Sequence, residues 1–126
     1  ILNNKEYQKI AQHYGKNLNK YIRKILLWQE QEFLDIYSGK TIGKEDIFEN
    51  RVDIDHIVPQ SVGGLYVKHN LVLIFRDTNL QKSNQLPLNF IQDKQSFINR
   101  VEYLFKNYKI NWKKRKNLLA TTLDET

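Results

Sequence analysis

The chain has 126 residues, 20 of them Lys or Arg and 14 Asp or Glu, for a net charge of +6. It has no cysteine, which excludes disulfides, thiol nucleophiles and thiolate zinc sites. Apolar residues make up 40%, yet no run approaches the ~18 of a membrane span, and the opening Ile-Leu-Asn-Asn-Lys lacks the regions of a signal peptide. The length predicts one domain with one core. A cysteine-free basic chain fits a reducing cytosol. No methionine is present, from which a piece processed or excised from a longer protein is expected.

Residues 1–36 are predicted as a helical lead. Tyr7, Ile10, Ala11 and Tyr14 fall on one helix face, and Gly15 breaks the run. Leu18, Tyr21, Ile22, Ile25 and Trp28 continue the period as a second, longer helix. Tyr37-Ser38-Gly39-Lys40 then reads as a turn. From Val52 the pattern alternates like a strand and stops at Pro59. Gly63-Gly64 marks a loop. Leu71-Val72-Leu73-Ile74-Phe75 is a short, wholly apolar run, suited to a strand buried on both faces. Asp77 or Thr78 is a candidate cap for a short helix carrying Asn79, Lys82 and Ser83, ended before Pro87.

The last part, 91–126, returns to helix. Phe97, Val101, Leu104, Phe105 and Tyr108 make one apolar face, and Ile110, Trp112, Leu118 and Leu119 are expected to bury chain beyond it. This part carries 8 of the basic groups against 4 acids; Lys106, Lys109, Lys113, Lys114, Arg115 and Lys116 have no acid between them. Such a run can meet phosphates or simply be a solvated helix end. The fold class is therefore α+β and mostly helical: a two-stranded hairpin and short helix over 37–90, clamped by flanking helices.

Three histidines are present. His13, in a helix, and His69, beside the glycine loop, read as surface residues. His56 follows Asp55 directly at a strand end. A carboxylate is a hard oxygen ligand for a Mg²⁺-type cation, and imidazole titrates near neutrality and can take a proton from water. Asn70 opens the second strand, 14 residues after His56, and Asn79 sits on the following helix, 23 residues after it. A hairpin returning to a crossing helix would bring the three together.

This His…Asn…Asn order on a ββα unit resembles the HNH endonuclease family. The stretch Asp53-Ile54-Asp55-His56-Ile57-Val58-Pro59-Gln60-Ser61 is more specifically similar to the HNH domain of RNA-guided type II CRISPR effector nucleases, the Cas-nine endonucleases. The Tyr37–Lys40 turn, Asn70 and Asn79 with Lys82-Ser83-Asn84 add to the likeness, which covers roughly residues 37–90. The resemblance implies that Asp55 and Asn79 bind one Mg²⁺, with Mn²⁺ able to substitute, and that His56 is the general base. It implies that Asn70 holds the loop that orients His56. Lys82 is a candidate for the scissile phosphate, or else a solvated lysine; Asp53 and Asp77 are additional carboxylates nearby. Many HNH proteins hold a structural zinc through cysteines; this sequence cannot, and the CRISPR branch commonly lacks that zinc.

The same resemblance implies one-metal hydrolysis of the guide-paired target DNA strand, within a guide RNA–DNA heteroduplex and beside the remaining domains of a parent effector. The implied setting is the bacterial cytoplasm, without a membrane, and the domain alone would be a monomer. A freestanding HNH DNA endonuclease of restriction or homing type, and an inactive HNH scaffold that binds nucleic acid, are the alternatives.

Overall fold

The computed structural model describes residues 4–126; the first three residues of the predicted 1–36 lead lie outside the described residues. The elements run α1 (Asn4–His13), α2 (Ile22–Glu30), α3 (Lys44–Phe48), β1 (Val52–His56), β2 (Leu71–Phe75), α4 (Arg76–Lys82), α5 (Pro87–Phe90), α6 (Lys94–Lys106) and α7 (Trp112–Leu119). The fold is mostly helical around one antiparallel pair, in which Val52 faces Phe75 and His56 faces Leu71. Among the described residues, no helix is long and apolar enough to cross a membrane.

The wholly apolar composition of β2 has its reason in the packing. Leu71 and Leu73, with Val52, pack on Tyr21, Ile25 and Trp28 of the lead and on Phe48. Val72 and Ile74 point the other way, into Phe97, Val101 and Leu104 of α6 and Leu118 of α7. Successive strand residues face opposite sides, so a strand between two helical layers needs an apolar residue at every position. A two-stranded ribbon is marginal alone, and these layers hold it.

The side of β2 away from β1 is closed by side chains. Gln31 accepts from Leu73 N at 2.7 Å and donates to Leu73 O at 2.8 Å. Asp35 Oδ2 accepts from Phe75 N at 3.0 Å. Both are buried, and they satisfy backbone groups that a strand edge otherwise leaves open.

Four expectations need correction. Leu18–Lys20 is a separate 3-10 turn rather than the start of α2, because Asn17 Oδ1 accepts from Asn19 N at 3.0 Å and caps a tight turn there. Helix α4 begins at Arg76, straight out of β2, without a side-chain cap; Asp77 lies in its first turn, where an acid suits the helix dipole. The α6 face stops at Lys106, since Tyr108 has φ 59° and is 95% exposed. Trp112 is exposed at the start of α7, whereas Ile110 and Leu118 are buried.

Candidate active site

Asp55 and His56 end β1, and Asn79 and Lys82 lie on α4, which crosses the hairpin. All four border one groove of about 540 Å³ together with Pro59, Gln60, Ser61, Ser83 and Asn84. The hairpin return and the crossing helix thus bring together residues spread over nearly thirty positions. Asn70, expected beside His56 and Asn79, does not border the groove and turns its amide to Val58 and Leu65 instead. Asp53 and Asp77 do not border this groove. Asp53 meets Arg76 Nε at 3.3 Å, and Asp77 lines a separate hollow beside Arg76.

The carboxylate of Asp55 is buried. Its Oδ2 pairs with Lys82 Nζ at 3.1 Å and accepts from the Tyr37 hydroxyl at 3.2 Å. Burial pushes the Asp55 carboxyl up, and the Lys82 ammonium, the Tyr37 hydrogen bond and His56 pull against that rise. Burial likewise pushes Lys82 down, with Asp55 opposing. The phenol of Tyr37 is raised well above its ordinary value by burial and by the Asp55 charge. Asp55 and Lys82 thus each offset part of the other's desolvation, whereas at Tyr37 burial and the Asp55 charge act in the same direction.

Lys82 is not a solvated lysine. It is fully buried, and its Nζ also donates to the backbone carbonyl of His56 at 2.8 Å. In this structure its charge is directed at Asp55 and at the end of β1.

His56 is half-buried and makes no side-chain hydrogen bond among the described residues; its Nε2 is buried without a partner. An unpaired buried polar atom costs about 1–3 kcal/mol, and such atoms in native folds call for an explanation. The ring lies 5.6 Å from that of Tyr66, centroid to centroid.

The loop after His56 is tied down at several points. Asn70 Oδ1 accepts from Val58 N at 2.9 Å, and its Nδ2 donates to Val58 O and Leu65 O, both at 3.1 Å. Gly63 has φ 99°, a left-handed conformation that glycine adopts without strain. A Cβ on Gly64 would fall 1.7 Å from Val58 O, so only glycine fits where the loop folds back. From α7, buried Asn117 donates to His69 O at 3.3 Å and to Asn70 Oδ1 at 3.4 Å.

The pattern of residues assigned no role in the site to two contributors. Tyr37 reaches Asp55 from a turn that Arg100 of α6 secures by donating to Ile36 O and Tyr37 O, both at 2.8 Å. Asn117 supports Asn70 from 47 positions away. Tyr37 is legible only as part of the Tyr37–Lys40 turn, with no sign of its contact with Asp55, and Asn117 carries no local signal; the packing of α6 and α7 reveals both roles.

The donor set can be tested against a metal. A carboxylate and an amide oxygen on one polar groove suit a hard cation that keeps most of its waters. Among the described residues no cluster of three or more His, Asp or Glu assembles at ligating distance, so Asp55 and Asn79 would be a sparse pair of ligands. So sparse a pair suits Mg²⁺, which takes few protein oxygens and keeps its waters.

Residues 35–88 match the profile of the HNH endonuclease family. The CRISPR-associated endonuclease Cas9 of Staphylococcus aureus is 32% identical over 105 residues, 81% of this chain and 10% of that protein. The Cas9 of Campylobacter jejuni is 33% identical over 103 residues, 80% of this chain and 10% of that protein. Streptococcus thermophilus Cas9, solved with a GGAA PAM, superposes with a TM-score of 0.76 at 24% identity, over 85% of this chain and 11% of that one. The type II-C Cas9 from Actinomyces naeslundii gives 0.64 at 26%, over 94% and 14%. The chain spans about a tenth of the length of the curated relatives it matches.

Proposed function

Because this chain carries an HNH endonuclease domain that matches the HNH regions of Cas9 proteins, we propose that it cleaves the guide-paired DNA strand as one part of a larger RNA-guided effector. The observation that carries this reading is the single groove bordered by Asp55, His56 and Asn79. Asp55 and Asn79 would hold Mg²⁺, or Mn²⁺ in its place. Bound there, the cation would polarise the scissile phosphate and stabilise the leaving 3′ oxygen.

The chain's own residues do the rest. His56 accepts a proton from the attacking water at Nδ1, the ring nitrogen left when Nε2 is buried, a role worth ~10²–10⁴ in rate. Asn70 fixes the loop after His56, so that the imidazole does not swing out of line; misplacement by an ångström can cost ~10²-fold. Lys82 and Tyr37 hold the Asp55 carboxylate in one orientation. The guide RNA would select the sequence by base pairing, and docking of this domain would license the cut.

The test uses an effector containing this chain, loaded with guide and given a duplex labelled separately on each strand. With Mg²⁺ the guide-paired strand is cut, and His56→Ala abolishes that cut alone. Cutting of that strand that survives His56→Ala overturns the reading.

A further inference from the structure

Five arginines are present, and four of them are committed within the fold. Arg51 meets Asp46 and Glu49, Arg76 meets Asp53, and Arg115 meets Glu102; Arg100 donates to two carbonyls. Arg23, on α2, is exposed and makes no hydrogen bond or ion pair among the described residues. Its guanidinium instead lies over the ring of Tyr66, 4.9 Å from the centroid. The same ring lies against His56, tilted by 50° with centroids 5.6 Å apart, so three side chains follow one another in a row that ends at the imidazole.

From this arrangement we infer that Arg23, set in place by the ring of Tyr66, contacts a backbone phosphate of the DNA strand flanking the scissile bond. The inference rests on the proposed nuclease reading and adds to it a substrate contact from α2, outside the 35–88 core.

The physical case has three parts. A guanidinium on an aromatic face keeps its N–H fork free, and that planar fork matches phosphate oxygens. The ring restricts the long side chain before substrate arrives, so less conformational entropy is lost on binding. The position also suits a strand crossing the groove. Steps of 4.9 and 5.6 Å separate guanidinium, phenol and imidazole, while each nucleotide of one strand advances ~3.4 Å along the duplex axis. The phosphate in question therefore lies within about three nucleotides of the one attacked. Tyr66 is a positioning residue, acting through Arg23.

The test is titration of the isotopically labelled chain with a 12-base-pair DNA duplex, without divalent metal, followed by NMR at the Arg23 Nε–H signal and by Kd at several salt concentrations. Sodium phosphate serves as the control. The expected result is a shift of the Arg23 signal by duplex and none by phosphate at equal concentration. In Arg23→Ala, affinity falls alike for unrelated sequences, and the slope of log Kd against log salt shrinks by about 0.9, one phosphate contact. Arg23→Lys keeps the slope, and Tyr66→Leu weakens binding while keeping it. An unmoved Arg23 signal, an unchanged slope in Arg23→Ala, or an equal response to free phosphate overturns the inference. His56→Ala separates the two readings. If its cleavage is lost while Arg23→Ala binds normally, only this inference fails. If the guide-loaded effector containing this chain never cuts the guide-paired strand while Arg23 responds as described, the nuclease reading fails and the DNA contact stands.

Discussion

Asn70 grips Val58 at both ends of its amide, accepting from Val58 N at 2.9 Å and donating to Val58 O at 3.1 Å. This is the pairing a neighbouring strand would make, supplied by one side chain just where the ladder ends at His56 and Leu71. Asn70→Ala leaves those buried groups unpaired, at about 1–3 kcal/mol of stability. The larger expected effect is on rate, a fall of ~10²-fold or more, because Val58 lies two residues from His56. Denaturant melts and single-turnover cleavage on the same variant check both. A loss of stability with full activity would count against a positioning role.

The roles of the groove residues separate by metal binding. His56→Ala should abolish cleavage and leave Mg²⁺ affinity nearly intact, whereas Asn79→Ala should weaken both. Asp55→Ala should do the same, but it also leaves the fully buried Lys82 ammonium without its carboxylate, a change that costs about 3–5 kcal/mol. Calorimetric metal titration must therefore be read beside a melt. If His56→Ala loses metal as badly as Asn79→Ala, imidazole is a ligand and not a base.

Local pattern carried the parts of this site that depend on neighbours in sequence. The Leu71–Phe75 run reads as a strand buried on two faces, and His56, Asn70 and Asn79 are legible because a hairpin and a crossing helix fix their spacing. What the pattern could not carry depends on distant chain. Tyr37 meets Asp55 across 18 positions and Asn117 meets Asn70 across 47. Nothing near Lys82 distinguishes a buried lysine from a solvated one; its burial follows from Asp55 and the His56 carbonyl lying beneath α4. Trp112 and Tyr108 fit an apolar period that the chain abandons after Lys106.

Lys114 forms a buried ion pair with Glu30 at 2.6 Å, joining α7 to α2. Burial lowers its pKa below the ordinary 10.5, with Glu30 opposing. A depressed lysine contributes stability that is fully present above the ordinary value and lost as pH falls through the folded one. At neutral pH the pair therefore carries a desolvation cost. Glu30→Ala alone strands the ammonium and should cost about 3–5 kcal/mol. The double variant Lys114→Met with Glu30→Leu should match or exceed the parent at pH 7, and its advantage should shrink as pH rises toward the ordinary lysine value. Tyr37, raised well above its ordinary value, contributes the opposite alkaline trend in both proteins. The difference between the two melting curves isolates the pair, and a double variant several kcal/mol less stable at pH 7 would refute this account.

On the proposed reading, the chain alone should be folded but a poor and sequence-blind nuclease. The basic stretch after Phe105 offers less to DNA than its composition suggests. Lys109 pairs with Glu32, Lys114 is buried against Glu30, and Arg115 meets Glu102. Lys106, Lys113 and Lys116 remain to supply salt-sensitive affinity without base readout. Holding a phosphate against both metal and attacking water demands closer positioning than so few contacts give; within an effector, the docked heteroduplex would provide it. Incubating the chain with Mg²⁺ and labelled DNA of varied sequence should give slow cutting, spread over many sites and suppressed steeply by salt. Adding the same chain within a guide-loaded effector should concentrate cutting at one position. Efficient cleavage at a single defined sequence by the chain alone would identify a freestanding nuclease instead, because selectivity would then reside in these 126 residues.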